Sequence, residues 1–236
     1  MGWRTRFVAV SLFLGLPMAS PCTIAQQLDA APVLTPSRVS LQFDRPGLIV
    51  PRFTLVIAED GNGTYEAEQV LQPQGARDVS TASSQHIERK LTVTPATTAK
   101  IFVLARSLDR FHTECASRAK NIANTGTKTF RFEGPEGDGG CVFNFSENKN
   151  VVALTDVYQG IASTLDMGRK LDFDHRFDRL GLDADMAALT EDVAQGRSLE
   201  LGTIARTLHS LAIDPDVLER VRLRANALLE RFPAAN

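Results

Sequence analysis

The chain has 236 residues, of which 43% are hydrophobic, and it carries 26 basic against 28 acidic residues. This length fits one domain, or one domain with an appendage, and the balanced charge without a basic stripe argues against a nucleic-acid partner. Aromatic residues make up only 7% of the chain and are mostly Phe, so we do not expect a polysaccharide-binding surface of Trp and Tyr.

The N-terminus predicts export. Two arginines precede an apolar run at 7–16, and small residues then lead to Ala25, which is the order of an export signal cleaved after that residue. The run is well below the ~20 residues that span a bilayer. Lipidation of Cys22 is the alternative, but it requires a small residue where Pro21 stands. Cleavage leaves 24 basic against 28 acidic residues and a formal net charge of −4.

The first part of the mature chain predicts strands. Residues 26–37 predict a flexible or extended leader, after which apolar and polar residues alternate over 39–43 and 53–57 as in half-buried strands. Asp60-Gly61-Asn62-Gly63 follows, and Asn and Gly tolerate the positive φ angles of a hairpin turn. Alternating oxygens of this kind also begin a calcium loop. The downstream bidentate Glu of such a loop is missing, so we predict a hairpin.

A loop, a strand and a helix are predicted next. Residues 72–84 are small and polar and predict a loop, and 87–93 predict a strand. Thr94-Pro95 is typical of a helix start, with Thr as the N-cap and Pro as the first helical residue. The apolar stripe of this helix lies at Ile101, Leu104, Ala105 and Leu108.

A second hairpin follows, in which apolar residues alternate over 130–132 and a Gly-rich connection fills 134–140. Cys141, Phe143 and Phe145 alternate on the next strand and are expected to share one face, which places Cys141 in a core.

The mature chain keeps two cysteines, Cys115 and Cys141. An even count in an oxidising compartment favours a disulfide, which packs the end of the first helix against the second hairpin. Two alternatives remain at this point. One is a catalytic thiol, which needs a partnered His and one free Cys, and the other is a pair of separate buried thiols.

The rest of the chain is predicted to be helical. Asn148 or Asn150 is expected to cap the first helix of this part, and Gly168 is expected to kink or split it. Its apolar stripe is expected to continue through Phe173, Phe177 and Leu180.

Three shorter helices come last. Asp183 is expected to cap the first, which Gly196 ends; apolar residues over 201–212 mark the second, and Asp214-Pro215-Asp216 opens the last. Each has a single apolar stripe and therefore needs a partner surface. The surface that we expect them to cover is the stripe at Val157, Ile161 and Leu165.

Strands precede helices, so we predict an α+β fold, with an antiparallel sheet of two hairpins and flanking strands packed by helices. The predicted organisation is a signal peptide over 1–25, a leader over 26–37, an α+β domain over 38–170 and a helical tail over 171–236 that packs on the same domain.

Residues 53–165 resemble a domain of unknown function found in exported bacterial proteins. The resemblance consists of the hairpin from Phe53 to Glu66, the join from Leu91 to Pro95, the second hairpin, and the helix that starts near Val151. It covers about half of the chain and implies this fold and export. The family has no assigned activity, so the resemblance implies no catalytic residues.

The densest polar cluster lies over 172–179. On a helix, Asp172 and Asp178 lie three residues to either side of His175 and share its face, an arrangement that can hold a metal ion or orient His175 as a general base. The plain interpretation is a solvated helix face with weak ion pairs four residues apart. We favour the plain interpretation because the two-His helical spacing of a metal site is absent.

Two functional hypotheses follow. The first is a non-enzymatic exported protein that binds an unknown envelope or extracellular partner and needs no cofactor or metal. The second is an envelope hydrolase or metal-dependent enzyme centred on His175. The sequence contains no nucleophile elbow, phosphate loop, dinucleotide fingerprint or zinc-protease motif, which favours the first hypothesis.

Overall fold

The computed structural model describes residues 1–2, 35–71 and 83–231. The predicted signal cleavage site, the leader up to residue 34 and most of the predicted loop at 72–84 lie outside the described residues. The described residues from 35 onward belong to one compact unit.

The structure confirms the α+β prediction. Six antiparallel strands form one sheet in the order β4-β3-β2-β1-β5-β6. The strands are β1 (Arg38–Asp44), β2 (Arg52–Ala58), β3 (Asn62–Leu71), β4 (Ser83–Thr92), β5 (Thr127–Glu133) and β6 (Gly139–Phe143). β1 is central, so Arg38 lies opposite Ala58 on one side and Glu133 on the other. Both predicted hairpins are present, as β2–β3 and β5–β6.

Five α-helices accompany the sheet in the described part of the chain. They are α1 (Pro95–Ser107), α2 (Lys149–Phe177), α3 (Leu182–Ala194), α4 (Ala205–Ile213) and α5 (Glu219–Arg231). Thr94 caps α1 by accepting a hydrogen bond from the Thr97 N–H, with Pro95 as the first helical residue, as predicted. Asn148 caps α2 by accepting from the Asn150 N–H at 3.0 Å. None of the described helices is both long and apolar enough to cross a membrane.

One face of the sheet is covered by α1 and α2. The Phe111 and Phe130 rings stack there with centroids 5.1 Å apart, and the buried Tyr158 hydroxyl donates to the Val39 carbonyl at 2.8 Å. These residues belong to a first apolar cluster built from all six strands and both helices. The opposite face, which we call the outer face, carries the polar residues of the alternating pattern.

Cys115 and Cys141 form a disulfide, with Cα atoms 6.0 Å apart, which confirms the predicted pairing. It joins the segment after α1 to β6. The prediction that Phe145 shares the buried face of this strand is wrong, because β6 ends at Phe143 and Phe145 is 44% exposed.

The prediction that Gly168 kinks or splits α2 is also wrong, since the helix is continuous over Lys149–Phe177. Its 29 residues make it roughly 44 Å long. A Cβ atom at Gly168 would clash with Cγ2 of Ile204. The absence of a side chain at this position therefore allows the segment that carries Ile204 to pack closely against α2. The predicted domain boundary at 170 falls inside this helix.

A second apolar cluster joins the far end of α2, around Leu171, to α3, α4, α5 and the short 3₁₀ turn Leu201–Ile204. The stripe at Val157, Ile161 and Leu165 lies in the first cluster, against the sheet. The last helices do pack on α2, as predicted, but they cover the next part of this helix and not the stripe at Val157, Ile161 and Leu165.

Two further details differ from prediction. Phe173, Phe177 and Leu180 are 58%, 72% and 90% exposed, because the buried face at this end of α2 follows Leu171 and Asp174 instead. Asp183 does not cap α3, which has Gly181 at its N-cap. The Asp183 carboxylate lies in the first turn and forms ion pairs with two arginines of α5.

Candidate functional site

His175 lies near the end of α2 and finds its partner in another element. Its Nε2 is 2.7 Å from Oδ2 of Asp214, which directly follows α4. The hydrogen bond with His175, and next that from the Asp216 N–H, lower the pKa of Asp214. Asp178, predicted to stand beside His175, instead accepts a hydrogen bond from the Gly181 N–H at 3.2 Å. The His175–Asp214 contact thus ties the end of α2 to the α4–α5 connection.

Asp172, the other predicted carboxylate, is half-buried, and no hydrogen bond or ion pair joins it to His175 in the described part of the chain. A carboxylate on one imidazole nitrogen can orient the ring for proton transfer, so His175 and Asp214 have the geometry of a positioned base. Neither residue lines the groove described below. Across residues 35–71 and 83–231, no three His, Cys, Asp or Glu side chains are grouped to hold a metal ion.

A second polar cluster joins α2 to α3. The Lys170 ammonium donates to Asp174 at 3.1 Å and also to Asp185, and the two carboxyl groups hydrogen-bond to each other. Burial, and next the hydrogen bond with Asp185, raise the pKa of Asp174 to about 6. Burial acts against ionisation of Asp185 as well, but its contacts with Asp174 and Lys170 outweigh it and hold its pKa low. Asp185 is therefore the carboxyl group of the pair that ionises first as pH rises.

This assignment predicts opposite effects of two matched substitutions. Because the folded pKa of Asp174 lies above its unfolded value of ~3.9, the folded state binds more protons between about pH 4 and pH 6, and this contribution to stability falls as pH rises through that window. Asp174→Asn should remove the free-energy cost of ionising this buried carboxyl group and should therefore raise stability at pH 7 by on the order of 1 kcal/mol. Asp185→Asn should lower the stability at pH 7 by on the order of 1 kcal/mol, because it removes the anionic partner of Lys170 whose pKa is held low.

Thermal unfolding of both variants at pH 4.5 and pH 7 checks this prediction. The gain from Asp174→Asn should shrink at the lower pH, where the native carboxyl group is protonated. Equal losses from the two variants at pH 7 would contradict the raised pKa of Asp174, because removal of either carboxylate would then cost the same.

A groove of about 1220 Å³ opens at one end of the outer face of the sheet. Its floor comes from β1–β4, and its opposite wall comes from the end of α3, residues 198–203 and the end of α5. The floor residues include Arg38, Val56, Ala58, Thr64, Lys90 and Thr92. The groove therefore lies between the sheet and the helical part of the fold.

The register of the sheet sets the order of the floor. Val56 pairs with Thr64, and Thr64 pairs with Lys90, so these three side chains cross β2, β3 and β4 in one row. Arg38 begins β1 at the other side. Arg38 lies opposite Ala58, two residues along β2 from Val56. Because neighbouring strands lie about 4.8 Å apart, this offset puts the backbone positions of Arg38 and Lys90 roughly 16 Å apart. Small and aliphatic side chains occupy the space between the two cations.

Glu200 joins the wall of the groove to its floor. Its carboxylate accepts hydrogen bonds from the Thr94 N–H at 2.9 Å, the Thr94 hydroxyl at 2.7 Å and the Thr97 hydroxyl. The charge thus sits at the N-terminus of α1, where the helix dipole favours an anion. Glu200 adopts a left-handed backbone with φ 57°, a conformation that is unfavourable for this residue type and held here by its contacts.

Glu200→Asn should destabilise the protein by about 1 kcal/mol. Asparagine tolerates the left-handed backbone, but its shorter side chain cannot reach the donors of α1. Glu191→Asn is the control, because Glu191 is exposed and accepts a hydrogen bond only from Gln195, one turn away. Chemical denaturation measures both variants, and equal stabilities would contradict a role for Glu200 in joining the helices to the sheet.

The sequence matches no protein-family model and no curated protein.

Sequence analysis did not predict the groove, although one feature of the sequence pointed to it. Arg89 and Lys90 interrupt the alternation of the strand at 87–93, and Lys90 turns out to face the groove. Glu200 offered no comparable signal, because its partners lie more than 100 residues earlier in the chain.

Proposed function

We propose that this is an exported, non-enzymatic binding protein of the cell envelope or the extracellular space, and that the groove holds its ligand. The observation that carries the proposal is the groove itself, whose floor spans four strands and whose wall is attached through Glu200. Concave sites between packed parts of a fold are where ligands usually bind.

Export is supported by two observations. The N-terminal sequence has the charge, apolar run and small-residue order of a signal peptide. The Cys115–Cys141 disulfide suits an oxidising compartment. The intact mass of protein recovered from the periplasm or medium tests this part, and a mass that retains residues 1–25 contradicts it. A diacylglyceryl adduct on Cys22 would establish the lipoprotein alternative.

Ligand binding in the groove is tested by an NMR screen of ¹⁵N-labelled mature protein against a library of small-molecule fragments and short peptides. Ligands should shift the amide signals of the floor strands at the groove. Gly202→Tyr should abolish these shifts, because Gly202 lines the groove and a Cβ atom there meets no atom within 4 Å. Ser84→Tyr is the control, since Ser84 is exposed near the start of β4 and lies outside the groove. Shifts that survive Gly202→Tyr would place binding elsewhere.

The second candidate is a hydrolase centred on His175, and the observation that favours it is the contact with Asp214. The mature protein should then hydrolyse ester, phosphate or peptide substrates, and His175→Asn should abolish the activity without changing the melting temperature by more than a few degrees. A substrate panel on which the native protein and this variant behave identically contradicts the candidate.

A further inference from the structure

We propose that the ligand of the groove is an acidic peptide segment in extended conformation, which crosses the strands from Arg38 to Lys90. This inference rests on the proposed function and specifies its ligand class. It follows from the charges, the side-chain types and the spacing of the residues that line the groove.

The cations of the floor are available to a ligand. Neither Arg38 nor Lys90 forms an ion pair or side-chain hydrogen bond within the described part of the chain, although ion pairs occupy many other charged residues there. Arg38 makes only a weak, longer-range contribution to the lowered pKa of Asp60.

The two carboxylates of the groove are already engaged. Asp60 accepts hydrogen bonds from the backbone N–H and the side-chain amide of Asn62, each at 2.9 Å. Glu200 is held at the N-terminus of α1. These neutral donors hold the two carboxylates in place, one in the β2–β3 turn and one at the N-terminus of α1, without cancelling their charge. The positive charge that a ligand meets on the floor comes from Arg38 and Lys90, and an acidic partner complements these two side chains.

The uncharged lining favours a peptide over other anions. None of the described residues that line the groove is aromatic, so these residues offer no stacking surface of the kind that nucleobases and sugars use. The lining instead combines hydroxyl groups with aliphatic side chains. The aliphatic members include Val56, Leu91, Leu199 and Leu201. Such a surface suits the alternating aliphatic and polar side chains of an extended peptide.

The spacing of the cations matches an extended chain. Extended residues rise about 3.3 Å each, so side chains four positions apart lie roughly 13 Å from each other on the same face. This spacing is a few ångströms shorter than the distance between the backbone positions of Arg38 and Lys90, and their long side chains can bend toward each other by that amount. We therefore expect two acidic residues of the ligand, four positions apart, to meet the two cations while small residues between them lie over Val56 and Thr64.

The test is a titration of ¹⁵N-labelled mature protein with capped heptapeptides. The probe carries glutamates at its second and sixth positions with valine and serine between them, and the matched peptides carry glutamine or lysine at the same two positions. Glutarate is the free dicarboxylate control. We expect the glutamate peptide to shift groove signals, with about fivefold or greater weakening for the glutamine peptide and no binding of the lysine peptide. Affinity should fall as salt is raised.

Substitutions locate the contacts. Arg38→Glu and Lys90→Glu should each weaken the glutamate peptide by about fivefold or more, because each places a like charge against a ligand carboxylate. Lys100→Glu makes the same charge change at an exposed position of α1, away from the groove, and should leave affinity unchanged. Melting temperatures within a few degrees of the native protein confirm that each variant is folded.

The outcomes separate this inference from the proposed function. The acidic-peptide inference is overturned if the three peptides bind equally, or if the lysine peptide binds more tightly than the glutamate peptide. It is also overturned if glutarate binds as strongly as the glutamate peptide, or if no peptide binds at all. The groove would still be a binding site if the fragment screen finds ligands that Gly202→Tyr excludes. A screen without groove ligands would overturn both.

Discussion

Leu211→Asp is expected to unfold the entire described fold from residue 35 onward. Leu211 is 0% exposed on α4 in the second apolar cluster, so the substitution buries an unpaired charge and leaves a cavity, at a cost of several kcal/mol. The loss should not stay local. α2 carries Leu165 in the first cluster and Leu171 in the second, so unfolding of one cluster removes support from the helix that the other needs.

Leu223→Asp is the matched control, since Leu223 is 61% exposed on the neighbouring helix and should tolerate the charge within about 0.5 kcal/mol. The unfolding of both variants is followed by circular dichroism. The far-ultraviolet signal reports secondary structure, and the near-ultraviolet signal reports the packing of the Tyr and Phe side chains. Two separate transitions, with the strand signal surviving the first, would show that the clusters fold independently despite their shared helix.

Loss of the Cys115–Cys141 disulfide is expected to lower stability by about 3.5 kcal/mol. The bond closes a loop across a sequence separation of 26 residues, and the chain-entropy model relates that length to this stabilisation. For a chain of 236 residues, the melting temperature should fall by roughly 10 °C. The bond also joins the segment after α1 to β6 at one edge of the sheet, so this edge should loosen first.

Cys115→Ala/Cys141→Ala should reproduce the effect of a reducing agent on the native protein, and the reducing agent should have no effect on the double variant. Hydrogen exchange of β6 amides then reports where the loosening occurs. A melting temperature that is unchanged by reduction would mean that packing alone holds these elements together.

Local patterns in the sequence predicted the elements that local physics determines. The turn at Asp60-Gly61 and the start of α1 at Thr94-Pro95 depend on a few neighbouring residues, and the structure confirms both. The cysteine pair was predicted because the signal cleavage that we expect would leave only Cys115 and Cys141. Such features need no knowledge of what packs against them.

Features that depend on distant partners were missed or misinterpreted. Gly168 suggested a kink because a glycine weakens a helix, but its role is to admit Ile204 from a segment more than 30 residues later. Phe173 and Phe177 suggested a buried stripe, yet the buried side of α2 turns toward Asp174, which α3 covers. Periodicity identifies an apolar face, but it does not identify the face that a neighbour will cover.

The groove could not be predicted for the same reason. Its floor requires the register of four strands, and its wall comes from residues about 100 positions later. Only after folding does the carboxylate of Glu200 reach the N-terminus of α1.

The central position of β1 has a consequence for the timing of folding. β1 pairs at once with β2, but its other edge stays open until β5 arrives, and Arg38 pairs with Glu133 at a sequence separation of 95 residues. Closing so long a loop is entropically slow, and sheets rich in such distant pairings fold slowly. A chain that crosses a membrane through a narrow channel must remain unfolded until it has passed. For the exported protein that we propose, the late closure of the sheet lengthens the interval in which the newly made chain is still fit for translocation.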